Sequence, residues 1–151
     1  MKKDGKKGTY SVMVAVPAVW IIPLNDKKEI CVVDLYRYTT NMQSIEIPAG
    51  GSDGQKPLVA AKRELLEETG MTAKKWKQIG KFQIGNGLMD HMGYAFLATD
   101  LTMTKNDRQA EEGIDKIKFL PIQEILRLMK AGKFTESESI TAIMCALIKL
   151  N

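Results

Sequence analysis

Three glutamates near the middle of the chain have the spacing of one helical face. At about 100° per residue, Glu64, Glu67 and Glu68 fall within an arc of roughly 100°. Three ionised carboxylates this close repel one another, so a divalent cation between them would stabilise a folded chain at neutral pH. Such hard oxygen ligands favour Mg²⁺, with Mn²⁺ as a substitute. A solvated acidic face balanced by Lys62 and Arg63 is the alternative that the spacing alone leaves open.

The flanking residues predict how this helix begins and ends. Pro57 suits the first helical turn, where its missing N–H costs little, and Gly70 suits a left-handed helix end. A neighbouring apolar stripe is expected to be buried, and it consists of Leu58, Ala61 and Leu65. The residues from 46 to 56 read as a strand end followed by a glycine-rich loop that leads into the helix.

Residues 50–71 resemble the Nudix box, which is a glycine loop followed by Arg-Glu-aliphatic-x-Glu-Glu-x-Gly-aliphatic. The segment from Arg63 to Met71 matches this pattern at every fixed position. The first half departs from it, because only four residues separate Gly50 from Gln55, and Gln55 replaces a glutamate. In the family that glutamate pairs with the box arginine. The resemblance therefore implies that Gln55 hydrogen-bonds to Arg63 without contributing a charge, so that the loop is less firmly held.

Segments outside the box look like the ADP-ribose pyrophosphatase branch of this family. They are Leu35–Tyr38, Glu46–Gly50, Asn86–Gly87, Tyr94–Leu101 and the late helix Thr135–Leu147. The resemblance implies an α/β fold, a Nudix-type α/β/α sandwich with a mixed β-sheet between helices. The order of strand and helix patterns along the chain agrees with this class. We expect residues 1–10 to be a basic flexible tail and residues 11–151 to be a single Nudix domain.

The resemblance also assigns roles to residues of the site. It implies that Glu64 and Glu68 are metal ligands, that Glu67 is a third ligand, through water, or a catalytic group, and that the peptide carbonyl of Ala49 is a backbone ligand.

Substrate contacts are expected at three positions outside the helix. Arg37 matches an arginine that lies near the substrate phosphates in the branch, and a surface charge is the alternative. Gly87 and Met89 lie in the segment after the box, and we expect Met89 to contact a base.

The general base is expected from a later loop, because the box carboxylates are committed to metal. The polar segment Thr104–Gly113 contains Glu112, our first candidate for base or additional ligand, and Glu111, our second. A solvated acidic turn is the alternative for either residue, and Glu67 is the candidate if the base lies in the box.

These features predict metal-dependent hydrolysis of the diphosphate linkage of a nucleoside diphosphate sugar such as ADP-ribose. The products would be a nucleoside monophosphate and a sugar phosphate. Two alternatives remain open. One is a nucleoside triphosphate pyrophosphatase of the same fold, and the other is a non-catalytic regulator that binds a nucleotide sugar.

The bulk properties bound the class of protein and its partners. The 151 residues, of which 44% are hydrophobic and 26% charged, suit one globular domain. No apolar run approaches the roughly 20 residues of a membrane span, and two cysteines give no disulfide framework, which fits a reducing cytoplasm. The net charge of +4 includes a cluster of N-terminal lysines without interleaved aromatics, which favours a small nucleotide partner over nucleic acid. Members of the branch commonly pair as homodimers, and the short N-terminal region leaves a dimer and a monomer open.

Hydrophobic periodicity predicts the remaining elements. Strands are expected at residues 11–24 with a break near Pro17, and at 29–38, 43–47, 76–84, 92–99 and about 114–120; helices are expected at about 121–130 and after a capping box over 135–138.

Overall fold

A computed structural model describes Gly5, residues 8–104 and residues 113–150, without the side chain of Leu150. Its strands are β1 (Met13–Val14), β2 (Ala18–Pro23), β3 (Glu29–Arg37), β4 (Met42–Glu46), β5 (Ala49–Gly51), β6 (Met71–Gln83), β7 (Met89–Asp90), β8 (Met92–Met103) and β9 (Ile114–Pro121). Its helices are α1 (Pro57–Thr69), α2 (Ile122–Lys130) and α3 (Ser137–Leu150).

The strands of the described chain form three sheets. The central sheet is mixed and has the order β5-β2-β8-β6, in which β2 runs parallel to β8 and antiparallel to β5. An antiparallel sheet of order β4-β3-β9 lies beside it, and β1 pairs with β7 in a short parallel ribbon. The mixed central sheet is the one predicted from the sequence.

Helices cover both faces of the central sheet because its strands are apolar on both sides. In β2 the side chains of Val19 and Ile21 pack with the apolar face of α1. Trp20 and Ile22 point the other way and join the core formed with α2 and α3. This alternation confirms the predicted α/β/α sandwich.

Helix α1 begins and ends where its sequence predicts. Pro57 occupies the first helical position, and Gly70 caps the end with φ = 68°, a left-handed conformation that glycine adopts without steric cost. Ala61 and Leu65 are fully buried, as expected. The prediction was wrong for Leu58, which lies in the first turn of α1 and is 38% exposed.

Further boundaries differ from the prediction. Gly50 and Gly51, expected in a loop, lie in β5, and β8 continues to Met103 instead of ending near residue 99. Strand β6 begins at Met71, directly after α1, because pairing with β8 extends the strand over polar residues that have no β signature of their own. Helix α3 begins at Ser137, and the carboxylate of Glu136 accepts bonds from the backbone N–H of Glu138 at 3.2 Å and of Ser139 at 2.5 Å. Glu136 therefore caps this helix, and the predicted Thr135 capping box was wrong.

Both cysteines are free thiols. Cys31 is buried, and its burial together with the negative charge of Glu68 raises its thiol pKa to about 12. Cys145 is partly buried on α3. No helix in the described part of the chain has the length and apolar character needed to cross a membrane.

Candidate active site

The strand end before the glycine loop is bound directly to the box helix. The backbone N–H of Ala49 donates a hydrogen bond to the Glu68 carboxylate at 3.0 Å. The next residue, Gly50, lies against Glu64, since a Cβ at Gly50 would lie 2.2 Å from the Glu64 carboxyl carbon. Only glycine therefore permits this approach. The structure thus brings Ala49, Glu64 and Glu68 together, as the sequence analysis expected of metal ligands.

Arg63 binds the carboxylates of its own helix. Its guanidinium lies 2.8 Å from an oxygen of Glu64 and 2.7 Å from an oxygen of Glu67, and it also donates to the carbonyl of Gly51 at 2.8 Å. Burial lowers the pKa of Arg63, but the hydrogen bond to Glu67 and the surrounding carboxylates outweigh it and raise the pKa above its ordinary value. Arg63 therefore stays charged, and it connects the glycine loop to the acidic face.

The ion pair missing at Gln55 is replaced by one at Asp53. Asp53 Oδ2 lies 3.0 Å from Arg63 Nη2, whereas Gln55 Oε1 lies 3.4 Å from Arg63 Nε. Asp53 was not predicted from the sequence, because it lies two residues before the position where the pattern places a glutamate. The shortened loop turns at Asp53, whose φ is +48°, and this conformation directs the carboxylate to Arg63.

The donor set fits a hard divalent cation. Glu64 is only 6% exposed and Glu68 accepts the N–H of Ala49, so the two carboxylates lie next to the backbone of Ala49 and Gly50. No three acidic, histidine or cysteine side chains of the described residues form a compact metal-binding group. Arg63 forms ion pairs with both Glu64 and Glu67. The oxygen donors that would hold a cation are those of Glu64 and Glu68, next to the backbone of Ala49 and Gly50.

Arg37 lies at the end of β3 and forms a paired contact with β4. Its Nε and Nη2 atoms donate to the two carboxylate oxygens of Glu46 at 2.9 Å and 2.5 Å. Glu46 is 2% exposed, whereas the Arg37 side chain is 47% exposed. The hydrogen bond to Glu46 raises the pKa of Arg37 above its ordinary value. One edge of the guanidinium is therefore fixed, and the remainder is accessible to an anion.

A cavity of about 330 Å³ connects this arginine with the box loop. Its walls include Arg37, Glu46, His91 and Glu136, together with Trp20 and the backbone of Ala49, Gly50 and Gly51. The cavity thus adjoins the residues predicted to hold metal. A larger cavity of about 390 Å³ lies on the β3-β4-β9 sheet and is lined by no residue of the box.

Glu136 lines the cavity that contains Arg37, whereas the sequence predicted it only as part of the capping box over residues 135–138. Burial, followed by a hydrogen bond to Glu138, raises the pKa of Glu136 to about 7. The pKa of Glu138 is lowered by the same hydrogen bond. The position of Glu136 in the cavity wall follows from the packing of α3, and no local sequence pattern predicts it.

The predicted substrate contacts in the β6–β8 connection are placed apart from this cavity. Met89 lies in β7 and pairs with Met13, and the Gly87 carbonyl accepts a hydrogen bond from the Tyr10 hydroxyl. His91, rather than Gly87 or Met89, lines the cavity. Its Nδ1 atom is buried and has no hydrogen-bond partner among the described residues.

The two candidates for the base, Glu111 and Glu112, lie outside the described residues.

Comparison with known proteins identifies the family. The NUDIX domain model matches residues 14–141. The chain is similar to the ADP-ribose pyrophosphatase of Bacillus subtilis (strain 168), with 28% identity over 148 residues that cover 97% of this chain and 80% of that protein. It is also similar to the ADP-ribose pyrophosphatase of Mycobacterium tuberculosis (strain ATCC 25618 / H37Rv), with 30% identity over 139 residues that cover 90% of this chain and 67% of that protein.

The fold has close counterparts among solved structures. One, described as the crystal structure of an ADP compounds hydrolase, superposes with a TM-score of 0.78 at 21% identity, covering 89% of this chain and 72% of that one. The fold, the glycine loop and the carboxylate-bearing helix place the chain in the Nudix family. It is a Nudix hydrolase of the branch that includes the ADP-ribose pyrophosphatases.

Proposed function

We propose that this protein hydrolyses the diphosphate linkage of a nucleoside diphosphate sugar such as ADP-ribose in a Mg²⁺-dependent reaction. The observation that carries the proposal is the contact of Glu64 and Glu68 with the strand end at Ala49 and Gly50, beside a cavity that contains Arg37. The two similar ADP-ribose pyrophosphatases support the choice of substrate class. The products are a nucleoside monophosphate and a sugar phosphate.

The metal ligands in this proposal are Glu64, Glu68 and the carbonyl of Ala49, with Glu67 as the third carboxylate. Nudix hydrolases generally use divalent metal ions, and Mg²⁺, replaceable by Mn²⁺, suits these oxygen donors. A bound cation would polarise the phosphoryl group and lower the pKa of a bound water.

The other residues bind and orient the substrate. Arg37 contacts a phosphate oxygen through the N–H groups that Glu46 leaves accessible. Glu112, or else Glu111, accepts the proton of the attacking water. Gly87 and Met89 contact the substrate away from the described cavity.

We also propose an oligomeric state and a cellular location for this protein. The side chains of Tyr10, Val12, Met13, Val14 and Val16 are between 51% and 77% exposed, and we propose that a second copy of the chain covers this apolar segment in a homodimer. The free thiols of Cys31 and Cys145 agree with a cytoplasmic protein.

The test is a product-identified panel of nucleotide sugars, dinucleotides and nucleoside triphosphates in Mg²⁺, with the parent and the Glu68→Gln variant. We expect the parent to release a nucleoside monophosphate and a sugar phosphate. Glu68→Gln should lower turnover at least ~10²-fold with the fold retained, because it removes a ligand charge with little change in shape.

Three results would contradict the proposal. They are full activity in excess chelator, near-parent activity of Glu68→Gln, and hydrolysis confined to nucleoside triphosphates. Tight binding of a nucleotide sugar without any turnover would instead support a regulatory binding protein.

A further inference from the structure

A buried hydroxyl on the last helix holds the strand end that precedes the glycine loop. Ser139 lies in the first turn of α3, and its side chain is fully buried. Its Oγ atom accepts a hydrogen bond from the backbone N–H of Ile47 at 3.1 Å. Ile47 is 1% exposed and lies two residues before Ala49. The contact therefore connects α3 to the backbone that reaches the box helix.

This strand end is fixed from three directions. Strand β2 donates a backbone N–H to the carbonyl of Pro48 at 2.8 Å, and Glu68 of α1 accepts the N–H of Ala49 at 3.0 Å. Pro48 has no N–H, so the nearest backbone donors are those of Ile47 and Ala49 on either side of it. Ile47 donates to Ser139, and Ala49 donates to Glu68. Ser139 thus binds the first residue of the segment Ile47–Ala49, and Glu68, a proposed metal ligand, binds the last.

Ser139 is itself held by Glu136. The N–H of Ser139 donates to a Glu136 carboxylate oxygen at 2.5 Å, as part of the cap of α3. Glu136 lines the same cavity as Arg37 and the glycine loop. A chain of two hydrogen bonds therefore runs from the cavity wall through Ser139 to the strand end.

We propose that Ser139 is a positioning residue, whose hydroxyl sets the position of the Ala49 backbone relative to Glu68 and thereby the affinity of the site for its metal. This inference rests on the proposed function, because Ala49 is a ligand only in that proposal. Without the hydroxyl, the buried N–H of Ile47 has no acceptor, and the turn must shift to find one. Groups that orient metal ligands without touching the metal typically alter its affinity when they are removed.

The experiment measures Mn²⁺ binding by electron paramagnetic resonance in the full chain, so that the first readout does not depend on activity. The variants are Ser139→Ala, Ser139→Thr and two controls on the same helix. Thr141→Ala removes a hydroxyl that bonds within α3 to the carbonyl of Ser137. Ile143→Val shortens a fully buried side chain and controls for a loss of stability that does not involve the Ser139 hydroxyl.

We expect Ser139→Ala to weaken Mn²⁺ binding about tenfold, the lower end of the range for residues that orient ligands. Ser139→Thr should regain most of the affinity, while Thr141→Ala and Ile143→Val should bind as the parent does. In kinetics, the Mg²⁺ concentration for half-maximal activity should rise for Ser139→Ala, with little change in substrate KM at saturating Mg²⁺. If Ser139→Ala does not fold, Glu136→Ala, which removes the group holding Ser139, should weaken Mn²⁺ binding in the same direction.

Parent-like Mn²⁺ affinity of Ser139→Ala, or an equal loss in Ile143→Val, would overturn the inference and leave the proposed function intact. Parent-like affinity of Glu136→Ala, where that variant replaces Ser139→Ala, would do the same. A parent protein that binds no Mn²⁺ and hydrolyses nothing would overturn both. The parent therefore tests the function, and the variants test the role of Ser139.

Discussion

At the scale of single residues, the site depends on how one arginine is shared among several acceptors. Arg63 contacts Glu64, Glu67 and Asp53 at distances between 2.7 and 3.0 Å. The Asp53 side chain is 68% exposed, so solvent screens its ion pair strongly. The hydrogen bond from Arg63 to the Gly51 carbonyl therefore stabilises the loop as much as the ion pair with Asp53 does.

The first residue-scale prediction concerns Gln55 and Asp53. Gln55→Glu in the parent should change the free energy of unfolding by less than about 1 kcal/mol, because Asp53 already supplies a charge to Arg63. In an Asp53→Asn background the same change should be more stabilising, since Asp53 then no longer competes with the new carboxylate for Arg63. Asparagine tolerates the positive φ of position 53, so Asp53→Asn removes charge without straining the backbone.

Urea denaturation of the parent, both single variants and the double variant measures this coupling. A loss of more than about 1 kcal/mol in the free energy of unfolding of Gln55→Glu would show that Gln55 has some role other than a weakened substitute for glutamate. Identical effects in the two backgrounds would show that Asp53 and Gln55 do not share Arg63.

At the scale of elements, α1 follows local signals and α3 does not. Pro57 and Gly70 bound α1 where the pattern predicts. The cap of α3 depends instead on Glu136, which is partly buried beside Arg37 and hydrogen-bonded to Glu138. The pKa of the Glu136 carboxyl therefore depends on how the N-terminal end of α3 packs against the cavity.

The element-scale prediction is a pH dependence of stability. The pKa of Glu136 is raised from 4.5 to about 7 in the folded protein, so the fold binds the proton more tightly than the unfolded chain. The stabilising contribution of Glu136 is therefore fully present below about pH 4.5 and is lost as the pH rises towards 7. Hydrogen bonds from Ser139 lower the pKa of Glu136 and offset part of this shift, and Glu138 shares a hydrogen bond with Glu136.

Thermal unfolding of the parent and of Glu136→Gln between pH 4.5 and 8 measures the effect. Glutamine keeps an acceptor for the Ser139 N–H but does not titrate. The parent's Tm minus that of the variant should decrease as the pH rises. A difference that is constant or increases with pH would contradict the raised pKa.

At the scale of the whole molecule, the topology brings the end of β8 to the end of the box helix. Strand β8 ends at Met103, opposite Met71, and the N–H of Thr104 donates to the carbonyl of Gly70 at 2.7 Å. Strand β9 begins at Ile114, which pairs with Leu35 of β3, two residues before Arg37. Thr104 therefore lies at the end of the box helix, and Ile114 lies beside β3 close to Arg37.

Glu112 stays our first candidate for the general base. A general base contributes about 10²–10⁴-fold to the rate, so Glu112→Gln should reduce kcat within that range with little change in metal affinity or substrate KM. If Glu111→Gln carries the loss instead, the assignment moves by one residue within the same loop. If both single variants and the double variant stay near the parent rate, the base lies in the box, and Glu67 becomes the residue to test.

The sequence by itself determined the helix that carries the carboxylates and the apolar central strands, whereas Gly50 and Gly51, predicted to lie in a loop, belong to strand β5. The helix and the central strands follow from local periodicity and from the steric properties of glycine and proline, so neighbouring residues suffice to predict them. The existence of most elements could be predicted for the same reason, although the start of β6 could not, because its pairing partner extends it.

Only the tertiary structure decided which distant residues surround the site. The meeting of Arg37 with Glu136, the place of His91 in the cavity and the bond from Ile47 to Ser139 depend on how α3 packs against the sheet. The pairing of Asp53 with Arg63 likewise depends on the path of a shortened loop. Hydrogen bonds and ion pairs of this kind act over about 3 Å and are set by the packed fold, so residue spacing along the chain does not encode them.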